Sequence, residues 1–97
     1  MKISILRLAR NDLREIREYL SGFGESPPGK FRESFEKICV QVSDMPYMFG
    51  EYEYNPLYRK AVVVYDYLIF YQVDEIKGII KIYRVLHGKR NIMPLLK

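Results

Sequence analysis

The chain holds one histidine, His87, and it stands in the segment Tyr83 to Ile92, which reads Y-R-V-L-H-G-K-R-N-I. A histidine near its ordinary pKa changes charge close to neutral pH and can pass a proton. Arginine offers a forked donor that matches phosphate, and lysine a compact point charge. Arg84, His87, Lys89 and Arg90 therefore make a strand end suited to phosphate or to an acidic partner. Charge is concentrated there: residues 76 to 97 carry six Lys or Arg and no acid, whereas residues 1 to 75 carry ten bases and twelve acids. The net charge of +4 thus arises in the C-terminal quarter. A bland reading stands beside the chemical one. His87 next to Gly88 also fits a hydrogen bonder that steadies a turn, and Lys89 and Arg90 fit a solvated basic end.

Metal chemistry finds little support, because Cys39 and His87 are too few soft ligands for a zinc site, and a single cysteine makes no internal disulfide. No cofactor is expected. At 97 residues and 48% hydrophobic composition the chain makes one domain, residues 1–97, with a modest core. Its longest apolar runs, about five residues, fall far short of the roughly 20 needed to cross a bilayer. The start of the chain lacks the pattern of a secretory signal. The expectation is a soluble cytoplasmic protein without a membrane partner. Nine tyrosines and five phenylalanines, with no tryptophan, suit a wet contact surface.

Several elements must position the basic end. Residues 2 to 8 (K-I-S-I-L-R-L) alternate and read as a first strand. From Ala9 the period lengthens, with Leu13, Ile16 and Leu20 on one helical stripe and Ser21-Gly22 as a stop. A second helix opens on Pro27 or Pro28, and Phe31, Phe35, Ile38, Val42 and Met45 give it a seam. Residues 45 to 57, with two prolines, a glycine and four aromatics, read as an ordered loop. Three strands follow, over residues 59–65, 67–74 and 79–87, joined by short turns that favour antiparallel hairpins. The order β-α-α-β-β-β makes an α+β fold: a two-helix hairpin packed on one face of an antiparallel-rich sheet of about four strands.

In the last strand, Ile80, Ile82, Arg84 and Leu86 alternate with Ile79, Lys81, Tyr83, Val85 and His87. The first set is expected in the core, and the second on an opposite face left partly open. A bulge near Arg84 would exchange the two sets. Cys39, beside the helical seam, is expected to be a small buried apolar group.

The element order, the strand Y-L-I-F-Y-Q-V at 67–73, the ending R-V-L-H-G-K-R-N-I at 84–92, and the opening pattern of Ala9, Asp12, Leu13, Glu15, Ile16 and Tyr19 resemble the RelE/ParE superfamily of toxins from type II toxin–antitoxin pairs. The resemblance implies a small plasmid-stabilising toxin neutralised by a cognate antitoxin in a hetero-oligomer. It leaves two targets. ParE-like members inhibit DNA gyrase by binding it; RelE-like members enter the ribosome and cleave messenger RNA.

Metal-independent RNA cleavage needs a base for the 2′-hydroxyl, cations for the phosphate and an acid for the leaving oxygen. If the chain is a nuclease, His87, Arg84 and Arg90 are the catalytic candidates, with Arg59 and Lys89 holding phosphate. The tail N-I-M-P-L-L-K lacks the tyrosine that RelE-like nucleases carry after their basic pair, since Leu96 stands near that place, and H-G-K-R-N is the form more usual in ParE-like members. The resemblance thus favours gyrase, with Arg59, Lys81, Tyr83, His87, Lys89 and Arg90 as contact residues. A third reading is a degenerate module that binds only an antitoxin. An acidic antitoxin segment, disordered alone, is expected to add a helix or strand and to meet the basic tail.

Overall fold

The computed structural model describes residues 1–96; Lys97, part of the basic tail in the sequence, lies outside the described residues. The chain runs β1 (Lys2–Ile5), α1 (Arg7–Ser21), α2 (Ser26–Asp44), β2 (Arg59–Val63), β3 (Tyr67–Asp74) and β4 (Ile79–His87). One four-stranded sheet has the order β1-β4-β3-β2, with β1 parallel to β4 and the other pairs antiparallel. The expected α+β order is therefore observed. The first strand is shorter than its alternating pattern, because α1 takes over at Arg7.

Each helix buries one stripe against the sheet. On α1 the stripe is Ala9, Asp12, Ile16 and Leu20, at the spacing of successive turns. On α2 it is Phe31, Phe35 and Val42, with Ile38 partly buried. Met45, placed in the seam by its spacing, falls beyond the helix and is 62% exposed. Pro27 and Pro28 occupy the opening turn of α2, where a missing N–H costs nothing. The two stripes meet Ala61, Val63, Ile69, Tyr71, Ile80, Ile82 and Val85. Each fully buried large aliphatic or aromatic side chain contributes about 1.5–3 kcal/mol. Cys39 is half-buried against this core, and burial, aided by the Glu36 charge, pushes its thiol up to about 11.

A bulge decides which residues of β4 face the helices. Phe70 pairs with Arg84 and the next residue, Tyr71, pairs with Ile82, so Tyr83 has no partner on β3. Across this insertion the alternation slips by one. Ile80 and Ile82 face the helices, and after the bulge Val85, opposite Ile69, and His87, opposite Tyr67, do so. Arg84 and Leu86 lie on the other face with Phe70 and Leu68. Two expectations are thereby corrected: Arg84 and Leu86 are not on the helix face, and Val85 and His87 are.

The opposite face is also less open than the sequence suggested. Tyr52, Tyr58, Phe70, Leu86, Ile92 and Leu96 form a second buried cluster, flanked by Leu68, Tyr83 and Leu95. The loop before β2 and the tail after β4 supply this cover. Short apolar pieces such as Ile92 to Leu96 carry no period, so alternation within the strands gives no warning of it.

Candidate functional site

β1 stops at Ile5, opposite Ile82, and Leu6 N–H donates the last ladder bond to Ile82 O at 3.0 Å. Beyond that point the outer edge of β4 has no strand beside it. An unpaired buried N–H there would cost about 1–3 kcal/mol. Asp12 of α1 fills the gap. Its Oδ2 accepts from Val85 N–H at 3.0 Å and from Arg84 Nε at 2.8 Å, while its Oδ1 accepts from Arg84 Nη2 at 2.9 Å. Arg84 Nη1 donates to Leu95 O at 3.2 Å, so the same guanidinium ties down the tail. Asp12 is 6% exposed and is the buried acid of the helical seam. Its hydrogen bonds, against the opposing cost of burial, hold the Arg84 guanidinium above its already high usual value. Arg84 is therefore a charged structural clamp whose forked face is already occupied.

Three residues further on, the chain turns. His87 sits edge-on to Tyr67, with ring centroids 5.1 Å apart. Its Nδ1 accepts from Lys89 N–H at 3.2 Å, and its carbonyl accepts from Arg90 N–H at 3.0 Å. In the neutral ring this leaves the proton on Nε2. Gly88 N–H reaches Asp66 O at 2.8 Å, and a side chain at 88 would place its Cβ 3.3 Å from that oxygen, so the close approach favours glycine. Asp66 and Tyr65, in the connection between β2 and β3, both have positive φ, a conformation that costs about 1–3 kcal/mol for residues of this kind. The turn thus leaves Lys89 and Arg90 exposed, and neither forms an ion pair among the described residues.

Beside this lip lies a groove of about 730 Å³ between α1 and the end of β4. Glu15, Tyr19 and Phe23 form one wall; Tyr65, His87 and Arg90 form the other. Tyr19 and Phe23 meet edge to face at 5.2 Å and are both more than half exposed.

The remaining candidates do not join the lip. Arg59 is on β2, in the row that passes through Tyr71 to Ile82, whereas His87 ends the row through Tyr67 and Val63. Its guanidinium lies 4.7 Å over the Tyr47 ring and donates to Phe49 O at 2.7 Å, which fastens the preceding loop. Lys81 pairs with Asp74 at 3.3 Å. Tyr83 packs edge-on against Tyr58 at 5.3 Å in the second cluster. Of the residues singled out from sequence, only His87, Lys89 and Arg90 are neighbours at one exposed place. Asp12 was missed as a functional partner of Arg84; an acid inside an apolar helical stripe was the available signal.

The described residues contain no group of three His, Cys, Asp or Glu side chains able to hold a metal, and no described helix is long and apolar enough to cross a membrane. The arrangement is a cationic turn, an aromatic groove beside it, and a buried ion pair at the turn's origin.

The helical hairpin on a β1-β4-β3-β2 sheet is a fold shared with solved toxin–antitoxin structures. A chain of the intact E. coli RelBE toxin–antitoxin complex shares the fold at a TM-score of 0.68 and 20% identity, covering 92% of this chain and 98% of that one. The isolated E. coli RelE toxin matches at 0.68 and 20%, covering 93% and 86%. A chain of the chromosomal ParDE system from P. aeruginosa matches at 0.62 and 20%, covering 90% and 95%. At such identities the likeness is one of fold. The sequence itself narrows the assignment: residues 3–92 match the model of the ParE toxin of the parDE type II toxin–antitoxin system, and the chain belongs to that family. No curated protein matches the chain in sequence.

Proposed function

We propose that the chain inhibits DNA gyrase by binding it through the lip formed by His87, Lys89 and Arg90, and that a cognate antitoxin neutralises it. The observation that carries this reading is the match to the ParE toxin model across 3–92. The geometry of the basic motif supports it. Of the groups a phosphodiester cleavage site would draw on, Arg84 is committed to Asp12 and Leu95, and His87 Nδ1 to the Lys89 N–H. What stays available is a rigid cationic surface, which steers and orients an acidic protein face.

The test is a supercoiling assay with purified gyrase. Inhibition at stoichiometric excess of the chain, relieved by the co-encoded antitoxin, is the expected result. Normal supercoiling, together with new message ends in primer extension on translating ribosomes, would transfer the assignment to the RelE-like nuclease reading.

A further inference from the structure

The turn between β3 and β4 carries an apolar side chain at its tip. Ile76 is 98% exposed, more than any other described large apolar residue. The turn itself is fixed: Asp74 Oδ1 accepts from Lys77 N–H at 3.1 Å, and Gly78 takes a positive φ of 67°, which suits glycine. The loop after α2 lies against it, because Tyr47 OH donates to the Glu75 carboxylate and Tyr71 OH donates to Pro46 O at 3.2 Å. Within that loop Met48 N–H donates to Met45 O at 3.1 Å, and Met45, Tyr47 and Met48 are all exposed. This end of the molecule therefore bears an apolar knob beside an apolar seat, and methionine side chains adapt readily to what they meet.

Its charges also differ from those of the lip. β4 runs from Ile79, beside the turn, to His87, roughly 26 Å away at the rise of a strand. The lip is basic, so two lips repel each other. Around the turn both signs occur: Asp44, Asp74 and Glu75 against Lys2, Lys77 and Lys81. Asp74 is paired with Lys81 and Glu75 is held by Tyr47. Asp44, beside Met45, and Lys77, beside Ile76, are exposed and form no ion pair among the described residues.

We propose that two copies of the chain pair end to end through this surface about a two-fold axis. A two-fold contact sets one patch against itself, so a patch that holds a knob with its seat, and a free cation with a free anion, is complementary to its own copy. Ile76 of each copy enters the Met45, Tyr47 and Met48 seat of the other, and Lys77 of each meets Asp44 of the other. A nucleic acid or an acidic peptide finds no run of cations here. The few side chains involved put the contact near or below the low end of the roughly 1,200–2,000 Å² that specific interfaces bury, so the pairing is weak and depends on concentration. Both lips stay free, at opposite ends of the pair.

Sedimentation velocity of the full chain from about 1 to about 300 µM tests this. The parent should pass from monomer to dimer across that range. Ile76→Asp, at a position already open to solvent, should weaken pairing by at least about tenfold with an unchanged Tm. Lys77→Glu and Asp44→Lys should each weaken it alone, since the altered charge then faces its like. An equimolar mixture of those two variants should recover the parent's dimer fraction, because a mixed pair restores both contacts of opposite sign. Lys89→Glu with Arg90→Glu makes a charge change twice that of either single variant, yet should not weaken pairing. A parent that stays monomeric at about 300 µM, including one whose Ile76 amide shifts only when the antitoxin is added, would overturn the proposal. So would an Ile76→Asp variant that pairs as tightly as the parent, a mixture that recovers nothing, or pairing lost in the lip variant.

Discussion

Arg84 and the Lys89–Arg90 pair belong to one basic motif, five residues from end to middle, yet they occupy opposite physical states. Arg84 is held by two Asp12 oxygens and a tail carbonyl, with a side chain 14% exposed. Lys89 and Arg90 are exposed and make no ion pair among the described residues. The difference comes from where β1 ends. Because β4 outlasts its parallel neighbour, its edge needs a buried acceptor, and the carboxylate that supplies one also needs a cation. Past the edge the chain turns into solvent, and no acid among the described residues pairs with the next two charges. Similar residues in a single motif thus end up buried in an ion pair at one position and exposed at the other.

The largest expected effect is at the buried end. Asp12→Ala leaves a half-buried guanidinium and the Val85 N–H unpaired, and should cost about 3 kcal/mol by urea unfolding. For a domain of this size that lowers Tm by roughly 15 °C. A double-mutant cycle with Arg84→Met should give a coupling of about 2 kcal/mol; additive effects would show that the clamp is geometric but not energetic. Next comes His87→Ala, which removes one turn hydrogen bond and an edge contact on Tyr67, for about 1 kcal/mol.

The Lys81–Asp74 pair is intermediate in kind. Asp74 accepts from Lys77 N–H and faces Lys81, and these hold its carboxyl below the ordinary value of 3.8. A depressed carboxyl stabilises above that value and loses its contribution as pH falls through the lower folded-state pKa. Asp74→Asn should therefore reduce stability slightly at neutral pH, with the difference from the parent chain vanishing in strong acid. Smallest in stability, within about 0.5 kcal/mol, is the double variant Lys89→Ala with Arg90→Ala. Its effect should appear in function alone.

Much of this contrast was hidden in the sequence, and for identifiable reasons. Periodicity located both helices and all four strands, because a half-buried helix and a half-buried strand each leave a regular imprint. The strands 67–74 and 79–87 have the bounds expected of them. The bulge at Tyr83 leaves no such imprint, since it depends on pairing with Phe70 and Tyr71 and reverses the faces of everything after it. Asp12 and Arg84 are 72 residues apart, so their pairing became visible only once α1 was laid along the β4 edge. The tail cluster around Ile92 and Leu96 is equally nonlocal. His87, Lys89 and Arg90, by contrast, are neighbours in the chain and stayed neighbours in space.

The most direct measurement is the concentration of the Lys89→Ala, Arg90→Ala variant needed for half-inhibition of gyrase supercoiling, set against that of the parent chain, with Tm recorded for both. The account predicts a rise of at least about tenfold at an unchanged Tm. Equal potency of the two proteins would contradict it.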